Sequence, residues 1–186
     1  MKVSERERAK YAQIWSLPQY REASPGLAMV RPFLEVVRPK PRATILDVGA
    51  GAGAASEALA DHGFLVTAFD LTDTAWAHRD ITLRTGSIWR DLVGAVDHCY
   101  CCDVMEHIPT EFTALSVERI LAAGRDAFFS ISFEPDHFGS FLRQPLHLTV
   151  KPFEWWLGLM GEVGTVLDAR DLMGEGIFHV KRRGLA

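Results

Sequence analysis

Cysteine is scarce in this 186-residue chain and confined to one spot: Cys99, Cys101 and Cys102. No second cluster of metal-ligand spacing accompanies them, so neither a disulfide framework nor a zinc site is suggested, and the expected metal content is none. The three read as small apolar residues in a reducing compartment. No apolar run approaches the length of a membrane span. The opening stretch, MKVSERERAKYAQIW, is charged where a signal peptide would be apolar. A soluble, cytoplasmic protein is expected. An excess of basic charge is also missing: 20 Lys and Arg stand against 24 Asp and Glu, a net charge of −4. No overall field draws nucleic acid or an anionic membrane, and the small cluster Lys181, Arg182, Arg183 reads as a solvated tail. Repeats and low-complexity segments do not occur.

The length and a hydrophobic content of 48% fit one domain with a proper core. Within 1–186 the sequence divides into an N-terminal helical cap (1–42), a nucleotide-binding core (43–135) and a lid with a closing strand pair (136–186). Helices are expected at 4–16 and 26–37, the second stopped by Arg38-Pro39-Lys40-Pro41. Strands then alternate with helices. Strands are expected at 44–48, 65–71, 81–83, 95–102 and 126–133. Helices are expected at 53–62, ended by Gly63, and 109–123, closed by Gly124. Residues 134–151 are irregular. An aromatic-rich helix at 153–161 and strands at 165–172 and 176–181 complete the chain. This alternation implies an α/β fold: a Rossmann-like, doubly wound and mostly parallel sheet. Ligands in such sheets bind at the carboxyl ends of the strands, near the switch point.

The stretch ILDVGAGAGAASEAL, 45–59, concentrates Gly49, Gly51 and Gly53 between an apolar run and an alanine-rich one. Some group needs the backbone to come close there. Gly49-Ala50-Gly51-Ala52-Gly53-Ala54 satisfies G-x-G-x-x-[GA], and Asp70 ends the next strand about 20 residues on, where a ribose hydroxyl needs it. That pattern fits NAD or another adenosine cofactor, and an NAD-binding oxidoreductase stays open at this point. Asp47 favours the second choice. A pyrophosphate would meet its carboxylate at close range in a poorly screened site, whereas an amine or a cationic sulfur would not be repelled. Only about 115 residues follow Asp70, too few for a second mononucleotide half and a substrate domain.

Three stretches in order resemble the class I S-adenosylmethionine-dependent methyltransferases, covering about residues 40–135. ILDVGAGAG is similar to their first motif, implying cofactor contacts from Asp47, Gly49, Ala50, Gly51 and Gly53. FDL at 69–71 resembles the second motif, implying Asp70 on the ribose hydroxyls beside Leu71. DHCYCCDVMEHIP, 97–109, is similar to a stretch common in small-molecule members and brings in Asp103 and Val104. The resemblance implies a seven-stranded sheet with an antiparallel last strand, S-adenosyl-L-methionine as cofactor, and methyl transfer to an oxygen or nitrogen of a small molecule. A protein or RNA acceptor, or a non-catalytic protein retaining the fold, are the variants. No Pro-Cys and no Pro-Pro occur, so the pyrimidine-directed and DNA-amine-directed chemistries of the family lack their motifs, and a nucleic-acid partner is not expected. One departure stands out. Many members carry Gly-Asp after the third strand, the Asp reaching the adenine amine. Here Gly86 is followed by Ser87, so adenine recognition is expected to lean on Ser87 and on backbone groups of Ser87 and Ile88. The short connection from Thr72 to Asp80 is expected to hold a turn in place of a helix.

Catalytic candidates are fewer. Asp103 faces cofactor or substrate, or caps the following helix. His107 belongs to a Glu-His pair whose His either shapes the pocket floor or acts as a base. The segment from Phe133 to Trp156 carries His137, Arg143 and His147. It reads as a substrate lid supplying His147 or His137 as general base, or as aromatic packing over the sheet edge. Tyr20 and Arg21, before the first strand, are candidates for the cofactor's carboxylate end, against an ordinary helix pair. Oligomeric state is not legible.

Overall fold

The computed structural model describes residues 2–22 and 24–184. Met1, Leu185 and Ala186, the ends of the expected single domain, lie outside the described residues, as does Ala23 between the cap's helices. A seven-stranded sheet carries the architecture, in the order β3-β2-β1-β4-β5-β7-β6. Its strands are β1 (Thr44–Val48), β2 (Leu65–Asp70), β3 (Thr82–Thr85), β4 (Val96–Cys102), β5 (Gly124–Ser132), β6 (Gly164–Asp171) and β7 (Glu175–Arg182). Neighbours from β3 through β5 pair in parallel. The last strand, β7, runs antiparallel to both β5 and β6. Strand order reverses about β1 and β4, so the carboxyl ends of β1, β2 and β4 open a crevice between them.

Helices cover both faces. On one lie α3 (Pro25–Val37) and α4 (Ala54–Asp61); on the other, α5 (Ile88–Asp91), α6 (Thr113–Ala123) and α8 (Phe153–Val163). β1 and β4 are buried over most of their length, as apolar runs in a two-sided sheet must be. The core on the α3–α4 side centres on Phe33, Ile45, Leu59, Tyr100 and Phe128. That on the other side centres on Leu46, Phe69, Phe129, Trp156 and Phe178. Burying each such side chain contributes roughly 1.5–3 kcal/mol. The three cysteines are free and buried on β4. Burial pushes the Cys99 thiol up to about 12, so these are packing residues and not nucleophiles.

The cap is α1 (Val3–Ile14), a short α2 (Pro18–Glu22) and α3. The sequence pattern missed α2, α5 and the one-turn α7 (Gly139–Leu142) inside the lid, all too short to show a helical period. Expected boundaries otherwise shift by one to four residues. The largest shift is at 109–112, where a 3-10 turn precedes α6; Gly124 closes α6 as expected and also begins β5. The connection from 71 to 81 holds no helix, as its length implied.

Candidate functional site

Each glycine of the 49–53 bend has positive φ: 80° at Gly49, 56° at Gly51 and 91° at Gly53. Side chains approach them closely. A Cβ on Gly49 would stand 2.2 Å from Val104 Cγ2, one on Gly51 2.6 Å from Trp15 Cζ2, and one on Gly53 2.4 Å from His78 Cδ2. No side chain but hydrogen fits these positions. The bend hangs from the end of β2. The Phe69 carbonyl accepts the Gly49 and Ala50 N–H groups at 2.7 and 3.2 Å. The Asp70 carboxylate accepts Gly51 N–H at 2.8 Å and Thr72 N–H at 3.1 Å. Burial raises the Asp70 carboxyl, and those N–H groups oppose the rise.

Asp47 does not hold the glycine loop through backbone N–H groups; Asp70 does. The Asp47 carboxylate accepts the Ser56 hydroxyl of α4 at 2.5 Å, tying helix to strand. Fully enclosed, it is pushed up to about 7 by burial, against the opposing Ser56 hydrogen bond. Near neutrality it therefore carries a partial charge, which weakens the electrostatic case against a pyrophosphate.

Two adjoining cavities occupy the crevice, with free volumes of about 90 and 140 Å³. The first is lined by Gly49, Asp70, Leu71, Ser87, Ile88 and Val104 from the strand ends. The second is lined by Asp47, Ala50, Gly51 and His147. Gly49, Asp103 and His107 border both. Gly53 borders neither; it faces His78 and Trp76. Ser87 Oγ is buried and makes no close hydrogen bond, with the Asp91 carboxylate as the acceptor beside it. The Ser87 N–H is already given to Asp91 Oδ2 at 2.9 Å, so of the expected backbone groups that one is engaged within the protein.

Of the cap residues that roof the crevice, the sequence reading names only Tyr20. Glu7, Tyr11, Trp15 and Tyr20 all border the first cavity. Trp15 lies over Gly51, Tyr20 packs edge-on against Trp15 and Phe138, and Lys10, paired with Glu7 at 2.5 Å, donates to the Pro145 carbonyl of the lid. Burial raises the Tyr11 and Tyr20 phenols, so both stay protonated. The Tyr20 candidate thus reaches the site. Arg21 is exposed and donates to the Trp15 carbonyl, and His137 and Arg143 are exposed on the lid away from the cavities. The cue within the sequence was the aromatic spacing of Tyr11, Trp15 and Tyr20, in a segment too short in apolar residues to need them for a core.

Four side chains meet at the boundary of the cavities. Asp103 ends β4 with φ of 58° and caps no helix. Its Oδ2 lies 4.0 Å from His107 Nε2. His107 Nδ1 lies 2.6 Å from the Tyr11 hydroxyl and 3.2 Å from the Leu146 carbonyl. The His147 ring stands edge-on to it, centroids 4.6 Å apart, with Nδ1 2.5 Å from the Glu134 carbonyl. Burial and the neighbouring His107 push the His147 imidazole below its ordinary range, which keeps it neutral at pH 7. Glu106, wholly buried, accepts Ser132 N–H through Oε1 at 2.8 Å. Burial first, then the Asp103 charge, raises the Glu106 carboxyl well above its usual range. Among the described residues, no helix is long and apolar enough to cross a membrane.

No protein-family model matches the chain, and no curated protein does. Solved structures do. Magnesium protoporphyrin IX methyltransferase from Synechocystis PCC 6803, with bound S-adenosylmethionine, superposes with a TM-score of 0.63 at 19% identity, over 84% of this chain and 78% of that one. The 1,6-didemethyltoxoflavin-N1-methyltransferase of Burkholderia thailandensis, with S-adenosylhomocysteine, gives 0.59 at 20% identity, over 86% and 77%. The N-methyltransferase NodS of Bradyrhizobium japonicum WM9, with S-adenosylhomocysteine, gives 0.60 at 14% identity, over 90% and 89%. The chain has the class I methyltransferase fold, a seven-stranded Rossmann-like sheet closed by an antiparallel strand.

Proposed function

We propose that this chain is an S-adenosylmethionine-dependent methyltransferase acting on an oxygen or nitrogen of a small molecule. One observation carries the reading: the ends of three separate strands deliver Gly49, Asp70 and the buried Ser87 hydroxyl to a single cavity. Those residues fit an adenosyl group. The Ser87 hydroxyl can donate or accept toward an adenine, and Asp70 keeps acceptor capacity toward ribose hydroxyls beyond its two N–H bonds. The similar structures that hold S-adenosylmethionine or S-adenosylhomocysteine support the same cofactor here.

When bound, the sulfonium supplies an activated methyl group. The chain's own part is to place and enclose the reactants, which is worth up to about 7–11 kcal/mol of barrier. The Gly49–Gly53 bend and Asp70 fix the donor's position. The cap and the lid, joined through Tyr20–Phe138 and Lys10–Pro145, exclude water. A neutral His147 bordering the second cavity is placed to hold a proton released by the acceptor, and His107 is the second candidate. Both cavities are smaller than the roughly 300 Å³ at which ligand pockets begin, so cofactor entry requires Trp15 to move off Gly51.

Isothermal titration with S-adenosylhomocysteine and, separately, NADH tests the reading. Saturable binding of the first at micromolar or tighter affinity and none of the second is expected. Binding of NADH alone would restore the oxidoreductase alternative.

A further inference from the structure

We propose that Asp103, Glu106, His107 and His147 form a binding site for one divalent first-row cation of the Mn²⁺–Zn²⁺ class. Each residue brings a nitrogen or a carboxylate oxygen to within 4.8 Å of those of the other three. Two ligands at about 2.1 Å on opposite sides of a cation stand about 4.2 Å apart, so sub-ångström side-chain motion closes the set. Asp103, Glu106 and His107 come from one short turn at spacings of three and four residues, and His147 arrives from the lid.

Two further observations point to a ligand. Glu106 Oε2 is fully buried and has no hydrogen-bond partner, although Oε1 of the same carboxyl is satisfied by Ser132 N–H. Burial beside the Asp103 carboxylate favours the protonated acid at Glu106, and a cation between the two carboxyl groups would take that proton's place. The second is the orientation of the imidazoles. His107 Nδ1 faces the Leu146 carbonyl and His147 Nδ1 faces the Glu134 carbonyl. A carbonyl accepts only from N–H, which sets the His147 proton on Nδ1 and a lone pair on Nε2; the Leu146 carbonyl at 3.2 Å favours the same tautomer of His107, whose Nδ1 also meets the Tyr11 hydroxyl, able to donate or accept, at 2.6 Å. That is the arrangement by which backbone carbonyls hold metal-ligating histidines.

The donor set selects the ion. Two imidazoles exclude Mg²⁺ and Ca²⁺ as preferred occupants, and the absence of thiolate disfavours the softest metals. Two carboxylates neutralise a dication. The fully enclosed Glu106 and half-buried His147 put the ion at the wall shared by both cavities, with its remaining positions open to the crevice. The inference does not rest on methyl transfer, because cation binding alone reads it out, and a bound cation would take the Nε2 lone pairs that make His147 and His107 candidates for a base.

The test is calorimetric titration of Mn²⁺ and of Zn²⁺ into the chelator-stripped full chain. One site per chain is expected. His147→Ala, a half-exposed lid position whose loss leaves the core intact, should weaken binding at least tenfold, and Glu106→Gln, isosteric, should do the same. His137→Ala, on the exposed side of the lid, should leave it unchanged. Absence of saturable binding would overturn the proposal. So would binding that His147→Ala leaves untouched, which would direct attention to His98, Asp126 and His179 at the opposite end of the sheet.

Discussion

Replacing Asp70 by alanine is expected to weaken S-adenosylhomocysteine binding by more than tenfold and to lower stability by about 2–4 kcal/mol. The two effects share an origin. The Asp70 carboxylate is 8% exposed and satisfies two buried backbone donors, Gly51 N–H and Thr72 N–H. Alanine leaves both bare, at about 1–3 kcal/mol each when no water reaches them. The glycine bend, otherwise held to β2 by the Phe69 carbonyl, then loses its tie at Gly51. Any ribose hydroxyl bonded to the same carboxylate loses a charge-assisted partner as well. Asp70→Asn separates the contributions, since its carbonyl keeps one acceptor for Gly51. It should recover most of the stability and little of the affinity. Thermal melts beside calorimetry read both. An unchanged affinity in a folded Asp70→Ala chain would show that the ribose lies elsewhere.

Asp47→Asn is expected to stabilise the chain at pH 8 by about 1–3 kcal/mol while weakening cofactor binding. The Asp47 carboxyl titrates near 7 in the folded chain against 3.8 ordinarily, chiefly through burial. Between those values the folded state holds a proton that the unfolded chain has released. Stability attributable to Asp47 is therefore greatest below the lower value, falls as pH rises through the window, and levels off above the upper one. At about 1.4 kcal/mol per unit, the ceiling is roughly 4 kcal/mol. Asparagine still accepts from Ser56 and never ionises. Urea unfolding at pH 5 and pH 8 measures the difference: the variant's advantage should appear at pH 8 and shrink at pH 5. An advantage equal at both pH values would mean that Asp47 is not held in this way. A carboxylate kept where it destabilises the fold marks a position with a task in the crevice.

Much of this was legible in the sequence because the cues were local. Apolar runs bounded by glycine marked β1, β2, β4 and β5, and the three clustered glycines marked a bend. Asp70 was found through its place at a strand end, although its bonds to Gly51 and Thr72 were not foreseen. The number of strands and the antiparallel last one came from the family resemblance, not from periodicity, and the strand order was not read at all. What stayed hidden depends on contacts between distant segments. His107 and His147 are separated by an irregular loop with no period to place one against the other. Ser56, on a helix whose apolar face gave no hint of it, is what Asp47 binds. Tyr11 lies on, and Trp15 just after, a helix with little amphipathic signal, because its inner face packs on the crevice and the lid instead of on the sheet. Gly53 matched the fingerprint, yet the side chains above it are His78 and Trp76, which no motif includes.

Where an adenosyl ligand settles on the chain is the most direct question left to experiment. A crystal structure with S-adenosylhomocysteine should place the ribose against Asp70, the adenine against the Ser87 hydroxyl and the sulfur beside Asp103, with Trp15 displaced from Gly51. Density for the ligand at any other place, with Trp15 still seated on Gly51 and the strand-end cavity unfilled, would contradict the account.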